Sequence, residues 1–223
     1  MGSLLFLASC DKEEKVTVVG DVYVVTQLLG QDTLYGLSIH AYSFDPFSTV
    51  SVVPDGDPGT TYHLAAYPGF KTDFYYDTPE AELSAEKPTT GNYHFTAVFE
   101  SGEVLETDDV LHSTILYPPV IKECSYDVVS AKATVEWETV TGADIYVIKL
   151  YDGDDLVFLS PALGSATKKV DFSGSSSSWG QNYQPGNGAN FRMVLSAFKY
   201  EPGGDSYNVQ ASTNNESILV WGE

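Results

Sequence analysis

The chain has 223 residues, with 31 acidic and 11 basic side chains and a formal net charge of −20 at pH 7. Such a surface repels the phosphates of nucleic acids and anionic lipid headgroups, because both are bound through clusters of lysine and arginine. We therefore exclude nucleic-acid binding. Hydrophobic residues make up 43% of the chain and aromatic residues 13%, which is enough apolar area for packed cores.

The chain begins with a short apolar run at residues 4–7, followed by Ala8, Ser9 and Cys10. Small residues such as Ala8 and Ser9 are what the cleft of a signal peptidase admits. Leu-Ala-Ser-Cys resembles the lipobox of bacterial lipoproteins, and this resemblance implies that Cys10 becomes the first residue of the mature chain and is acylated. Each buried methylene adds about 0.8 kcal/mol of membrane affinity, so several acyl chains together form a stable anchor.

The charged tract at residues 11–14 resembles the export signal of Bacteroidota lipoproteins that are displayed on the cell surface. Residues 1–15 are therefore expected to be a lipoprotein signal remnant and tether, and the protein to be anchored by lipid in the outer membrane, exposed at the surface. An acylated Cys10 leaves Cys124 without an intramolecular disulfide partner. No run of 18 or more apolar residues occurs, so no membrane-spanning helix is predicted.

From residue 16 the sequence predicts short strands separated by turns, at 16–26, 34–43, 48–53, 60–67, 91–99, 104–107 and 110–117. The clearest is 91–99, in which alternate residues share one apolar face: Tyr93, Phe95, Ala97 and Phe99. Gly-x-Tyr-x-Phe in this strand resembles the tyrosine corner of immunoglobulin-like sandwiches, with Tyr93 as the corner residue. Residues 16–117 are therefore predicted to form an immunoglobulin-like β-sandwich.

Pro118-Pro119 is predicted to be a stiff joint, because a proline pair removes two backbone donors. Beyond it, Trp137 ends an alternating strand, and Gly-Ala-Asp-x-Tyr follows at residues 142–146. This pattern resembles a fibronectin type III domain, as does Tyr-Gln-Pro-Gly at 183–186, although Phe191 stands where that family places its corner tyrosine. Residues 118–223 complete an expected all-β fold of two tandem antiparallel β-sandwiches.

The four histidines all lie in predicted strands of the first unit: His40, His63, His94 and His112. Their spacing matches no zinc motif, and His94 is out of phase with the apolar face of its strand, so no metal site is predicted. Acidic residues cluster at 55–57, 108–109 and 152–155, as is typical of tight turns. Such turns supply some calcium ligands, but none shows the twelve-residue calcium loop. No cofactor is predicted.

Aromatic side chains outside the predicted cores are the remaining candidates for a binding site. Tyr75 and Tyr76 lie in a polar stretch, and Trp179 lies in the serine-rich loop 173–180. Flat rings stack on the apolar faces of sugars, and the lipoproteins that this chain resembles often belong to glycan-uptake systems. These three residues are therefore the predicted ligand-binding set. Alternatively, the rings close the ends of the sandwiches, because aromatic side chains bury about 150 Å² or more when they can.

The sequence contains no nucleophile elbow, phosphate-binding glycine loop or paired Cys and His signature, so we predict a protein that is not an enzyme. The favoured function is a binding or accessory module for a glycan or a partner protein. The alternative is a structural or adhesive component, such as a pilus-type subunit or a spacer, and a hydrolase is the third. Asp32-Thr33-Leu34 resembles the O-glycosylation acceptor of the same phylum, with Thr33 as the modified residue.

Mass spectrometry of the protein isolated from its native membrane tests the predicted anchor. The expected N-terminal peptide begins at Cys10 and carries the mass of its acyl chains, whereas a Cys10→Ser variant retains the upstream residues and no lipid. An unmodified Met1 together with a free Cys10 thiol would contradict the lipoprotein prediction.

Overall fold

The computed structural model describes residues 16–202 and 208–222. The first half of the chain forms seven strands: β1 (Val19–Leu29), β2 (Asp32–Tyr42), β3 (Phe47–Pro54), β4 (Tyr62–Tyr67), β5 (Phe70–Asp77), β6 (Gly91–Phe99) and β7 (Val104–Leu111). One turn of 3₁₀ helix, Glu80–Glu82, lies between β5 and β6.

The second half adds eight strands: β8 (Ile121–Asp127), β9 (Lys132–Trp137), β10 (Ile145–Asp152), β11 (Asp155–Leu159), β12 (Leu163–Gly164), β13 (Lys169–Ser173), β14 (Ala189–Tyr200) and β15 (Val209–Trp221). The described part of the chain is thus built almost entirely of strands, which confirms the predicted all-β fold class.

The first core lies between a layer containing β1, β2 and β5 and a layer containing β3, β6 and β7. Strand β4 pairs with both β3 and β5 and so carries the sheet from one layer into the other. The period-two pattern of β6 is confirmed, because the inward residues are at most 2% exposed: Tyr93, Phe95, Ala97 and Phe99. His94, between two of them, is exposed as predicted.

The Tyr93 ring is buried, and its hydroxyl donates a hydrogen bond to the backbone oxygen of Thr89 at 3.1 Å. This is the bond to the backbone a few residues upstream that a corner tyrosine makes. It ties the start of β6 to the segment that precedes it. Burial raises the pKa of Tyr93, so the hydroxyl keeps its proton and remains a donor across the physiological pH range.

The second core lies between the three-stranded sheet β13-β9-β8 and the strands β11-β10-β14-β15. The predicted inward residues of β9 are at most 1% exposed: Ala133, Val135 and Trp137. Phe191, which stands at the family's corner-tyrosine position, is fully buried in this core. Cys124, on β8, is a half-buried free thiol packed against the same core.

The two halves are joined by a direct pairing of their first and last strands. β1 pairs with β15 in parallel, from Val24 opposite Ala211 to Gln27 opposite Asn214. The strands β11-β10-β14-β15-β1-β2-β5-β4 therefore form one continuous sheet that runs through both halves. The sequence predicted two antiparallel sandwiches that meet at a proline joint, and it gave no indication of this parallel pair.

Two local predictions were wrong. The strand predicted at 110–117 does not form, because β7 runs without a break from Val104 to Leu111 and residues 112–120 have no strand structure. The acidic pair Asp108-Asp109 therefore lies within β7 and not in a turn.

The polar stretch around Tyr75 and Tyr76 is a regular strand, β5, whose Phe74 is buried in the first core.

Replacing Tyr93 with Phe removes the hydroxyl but keeps the buried ring. We expect Tyr93→Phe to lower the free energy of unfolding by about 1 to 2 kcal/mol, because the Thr89 oxygen loses its donor. Urea denaturation followed by fluorescence measures the change. Tyr117→Phe, at a ring that is 64% exposed, is the control and should leave the stability unchanged. Equal effects of the two substitutions would contradict a structural role for the Tyr93 hydroxyl.

Candidate ligand-binding face

The continuous sheet has an outer face, directed away from both cores. In β2 and β5, residues alternate between the first core and this outer face, and strand register places His40 of β2 between Asp21 of β1 and Tyr75 of β5. Tyr75 in turn pairs with Ala65 of β4. The outer face therefore carries side chains from four adjacent strands.

Five rings on and beside this face follow one another in ring-to-ring contact, and we name them the aromatic row: Tyr23, His40, Tyr75, Tyr67 and Phe70. The ring centroids of Tyr23 and His40 are 5.8 Å apart and nearly parallel, at 8°. His40 and Tyr75 follow at 6.2 Å, and Tyr75 and Tyr67 at 5.7 Å. Tyr67 and Phe70 complete the row at 6.1 Å. These distances are typical of attractive ring contacts.

Exposure increases along the aromatic row. The rings of Tyr23, His40 and Tyr75 are half-buried, whereas Tyr67 is 50% exposed and Phe70 59% exposed. Tyr67 ends β4 and Phe70 begins β5, so the two rings flank the turn that joins these strands, at the edge of the face. A ligand lying on the face would meet these two rings first.

Polar side chains next to the aromatic row determine which ring nitrogen of His40 carries the proton. Ser38 donates to a carboxylate oxygen of Asp77 at 2.5 Å, so its oxygen is left to accept from His40 Nε2 at 3.0 Å. The Nε2 atom therefore carries the proton. Burial lowers the pKa of His40, against the pull of the Asp77 and Asp73 carboxylates, so the ring is neutral at pH 7.

A cavity of about 240 Å³ opens beside the buried end of the aromatic row. Its walls combine rings with carboxylates, and its lining residues are Asp21, Tyr23, His40, Tyr42, Asp73 and Val209. The ring faces offer apolar contact, and the carboxylates accept hydrogen bonds. This combination suits a ligand that has both apolar faces and hydroxyl donors.

Asp21, which lines this cavity, is a buried carboxylate, only 5% exposed. Its Oδ2 accepts the backbone N–H of Val209 at 3.2 Å, whereas Oδ1 has no hydrogen-bond partner among the described residues. Burial raises the pKa of Asp21 to about 7. The Val209 bond acts against this shift, and the nearby charges of Asp109 and Glu201 add to it. Asp21 is therefore partly protonated at neutral pH.

The structure separates the three predicted ligand-binding residues. Tyr75 lies in the aromatic row, but its neighbour Tyr76 points to the opposite side of β5 and packs against Tyr62 at 5.0 Å and against the first core. Trp179, which the sequence predicted to be an accessible loop ring, is buried at 9% exposure. Its ring packs on Phe158, and its Nε1 donates to the Ser173 oxygen at 2.9 Å.

Sequence reasoning missed Tyr23, His40 and Tyr67 as neighbours of Tyr75. Adjacent residues of a strand point to opposite faces, so Tyr75 and Tyr76 were unable to share one surface once β5 formed. That alternation was the signal in the sequence that could have separated Tyr75 from Tyr76. The partners on β1, β2 and β4 depend on strand order, which the sequence does not reveal.

The other predicted sites are dispersed. Cys10 lies outside the described residues. Thr33 is half-buried in β2, opposite Leu28 of β1. Asp55-Gly56-Asp57 and Asp152-Gly153-Asp154-Asp155 do lie at strand ends, as predicted for turns. Within residues 16–202 and 208–222, no group of three His, Cys, Asp or Glu side chains is arranged to hold a metal ion.

His94 forms an exposed polar link with two carboxylates. Its Nδ1 lies 2.5 Å from Asp108 and its Nε2 lies 2.6 Å from Asp55. Because carboxylates only accept hydrogen bonds, both ring nitrogens need a proton, and these two bonds raise the pKa of His94. The link ties β6 to β7 and to the turn after β3.

No helix in the described part of the chain has the length and apolarity needed to cross a membrane. No protein-family model matches the chain, and neither does any curated protein.

Three solved structures show weak similarity. A chain of "Cytokine receptor complex - Crystal form 1A" aligns with a TM-score of 0.32 and 9% identity, over 91% of this chain and 97% of that one. A structure concerning "host cell surface retention of a 1.5-MDa bacterial ice-binding adhesin" aligns with a TM-score of 0.29 and 16% identity, over 92% of this chain and 65% of that one. "Biofilm associated protein - BSP domain" aligns with a TM-score of 0.28 and 7% identity, over 96% of this chain and 53% of that one. Likeness at this level identifies no function.

The buried Asp21 predicts a pH dependence of stability. Its pKa in the folded state lies above the ordinary aspartate value of 3.8, so its stabilising effect is fully present below about pH 4 and is lost as the pH rises through about 7. The loss amounts to at most about 4 kcal/mol, because one pKa unit corresponds to about 1.4 kcal/mol.

Asp21→Asn keeps an acceptor for Val209 but has no charge to bury, so its stability should fall less between pH 4 and pH 8 than that of the original protein. Chemical denaturation across this pH range measures the difference. Asp45→Asn, at an exposed loop carboxylate, is the control and should follow the original curve. If Asp21→Asn also follows that curve, Asp21 does not titrate as described.

Proposed function

We propose that this protein is a non-catalytic binding module that holds a glycan against the aromatic row. The observation that carries the proposal is the run of contacting rings from Tyr23 to Phe70 on the outer face. Sugar rings have apolar C–H faces that stack on flat aromatic side chains. A row of several rings provides contact for more than one sugar unit.

The polar groups around the aromatic row suit the same ligand class. Asp73 and Asp77 lie beside the rings on β5, where a carboxylate accepts hydrogen bonds from sugar hydroxyls. Neutral His40 adds no positive charge, and the net charge of −20 opposes anionic polymers. The face therefore favours a neutral glycan over a nucleic acid or a polyanion.

The location that we propose is the outer surface of the outer membrane, with the lipid anchor at Cys10 as the membrane contact. The support for this part is the lipobox resemblance and the acidic tract that follows it. An anchored module concentrates its ligand at the cell surface, so binding alone is a useful activity and no catalytic group is needed.

A second candidate function, a structural or adhesive component such as a pilus-type subunit or a spacer, is favoured by a different observation. The pairing of β1 with β15 makes one continuous sheet of the two halves. Such a joint limits the bending of one half against the other, which is a useful property in an element that holds a partner away from the membrane.

Affinity gel electrophoresis of the full chain in gels containing xylan, mannan, starch or mucin tests the glycan proposal. We expect retardation by at least one of these polysaccharides. Tyr67→Ala should weaken that binding about fivefold to tenfold, because one stacking contact of about 1 to 1.4 kcal/mol is lost.

Phe44→Ala provides the matched control, since Phe44 is 96% exposed but lies outside the aromatic row. Its mobility should equal that of the original protein. Absence of retardation in every gel, or an equal loss in both variants, would contradict binding at the aromatic row.

A further inference from the structure

The pairing of β1 with β15 has a direction that bears on how the molecule responds to force. Both strands run the same way, so the start of β1 and the end of β15 lie at opposite ends of the shared ladder. When these two points are pulled apart, the strands must slide past each other. Sliding loads all the ladder hydrogen bonds together, whereas pulling both strands from the same end opens them one at a time.

Side chains reinforce this ladder at two positions. Thr213 donates from its hydroxyl to the backbone oxygen of Thr26 at 2.8 Å, and both residues are at most 1% exposed. Before the ladder begins, the N–H of Val209 donates to the Asp21 carboxylate at 3.2 Å. The bond between the two threonines crosses from one strand to the other and is shielded from water, which would otherwise compete for the broken groups.

The ladder is also packed on its inner side. Val24 is 2% exposed and belongs to the first core, and its ladder partner Ala211 is fully buried in the second core. Sliding the strands by one residue would direct these apolar side chains to the wrong face, so register and packing resist the same movement.

Among the described residues, the other interactions between the two halves include an electrostatic one between Lys149 of β10 and Asp77 of β5. The chain crosses between them at residues 112–120, where Asn215 donates to the Pro119 oxygen at 2.9 Å and His112 lies 3.7 Å from Glu201. These polar contacts are weaker than the buried ladder, because an exposed ion pair contributes little to stability. Tension that enters through β1 and leaves through β15 therefore passes mainly through the ladder.

We propose that the β1–β15 ladder is a mechanical clamp, which carries tension along the chain in shear while the remaining strands of both sandwiches stay outside the load path. The inference rests on the second proposed function, the spacer or adhesive role, and does not depend on a glycan ligand. Under rising force the ladder is the first element to break, and both cores are still folded when it does.

Single-molecule force spectroscopy with two attachment geometries tests this proposal on the full chain. In the shear geometry, handles are joined to the two ends of the 223-residue chain. In the peeling geometry, one handle is moved to Gln31, an exposed residue in the turn after β1, so that the ladder is loaded from one end. We expect the first rupture force to be at least about twofold higher in shear, because forced rupture follows the barrier along the pulling direction.

A reversible cross-link identifies the element that breaks. Val25 and Ser212 are directly paired across the ladder, so Val25→Cys with Ser212→Cys, in a chain whose Cys10 and Cys124 are changed to Ser, allows a disulfide between the strands. The first rupture event should disappear when this pair is oxidised and return when it is reduced. Thr213→Val, which keeps the shape of the side chain but not its donor, should lower the shear rupture force and leave the peeling force nearly unchanged.

Equal first rupture forces in the two geometries, or a first event that persists in the oxidised pair, would overturn the clamp. The spacer role itself is tested separately, by deleting residues 16–222 behind the anchor and measuring whether a fused reporter becomes less accessible on the cell. That result distinguishes a spacer without a clamp from a protein that is not a spacer.

Discussion

The architecture depends on four ladder pairs between β1 and β15, from Val24 with Ala211 to Gln27 with Asn214. Each half has its own hydrophobic core, and without this ladder the halves would be held mainly by the covalent crossing at residues 112–120. With the ladder, the strands that cover one side of both cores merge into one sheet. The outer face of that sheet is then a single surface, shared by both halves.

The cores were predictable from the sequence, and the ladder was not. Alternation in β6 and β9 identified the inward residues correctly, because a strand with one buried face must repeat every two residues. The threonine bond that crosses the ladder, in contrast, joins residues 187 positions apart, Thr26 and Thr213. Thr26 belongs to a stretch of ordinary strand composition, whereas Thr213 precedes Asn214-Asn215, a pair that favours a turn, although β15 runs through it. Pairing at such a distance is decided by how whole layers pack and not by local preference.

In the candidate site, too, the local pattern was predictable from the sequence and the arrangement of the strands was not. The sequence indicated aromatic residues near 75, but it treated two adjacent rings as one surface, whereas the strand places Tyr76 against the first core and Tyr75 on the outer face. Trp179 was misplaced for a related reason: a serine-rich segment suggested an accessible loop, yet a large apolar ring is drawn into a neighbouring core. His40, the central ring of the aromatic row, became recognisable only through the register of β1, β2 and β5.

Both proposed functions use the continuous sheet, one through its outer face and the other through its joint. Native-state hydrogen exchange on residues 24–27 and 211–214 tests the joint most directly. We expect the amides donated into the ladder to exchange as slowly as those in the β1–β2 hairpin. If the ladder amides instead exchange as freely as those of an unpaired strand while both cores remain protected, then the two halves are not joined by a shared sheet.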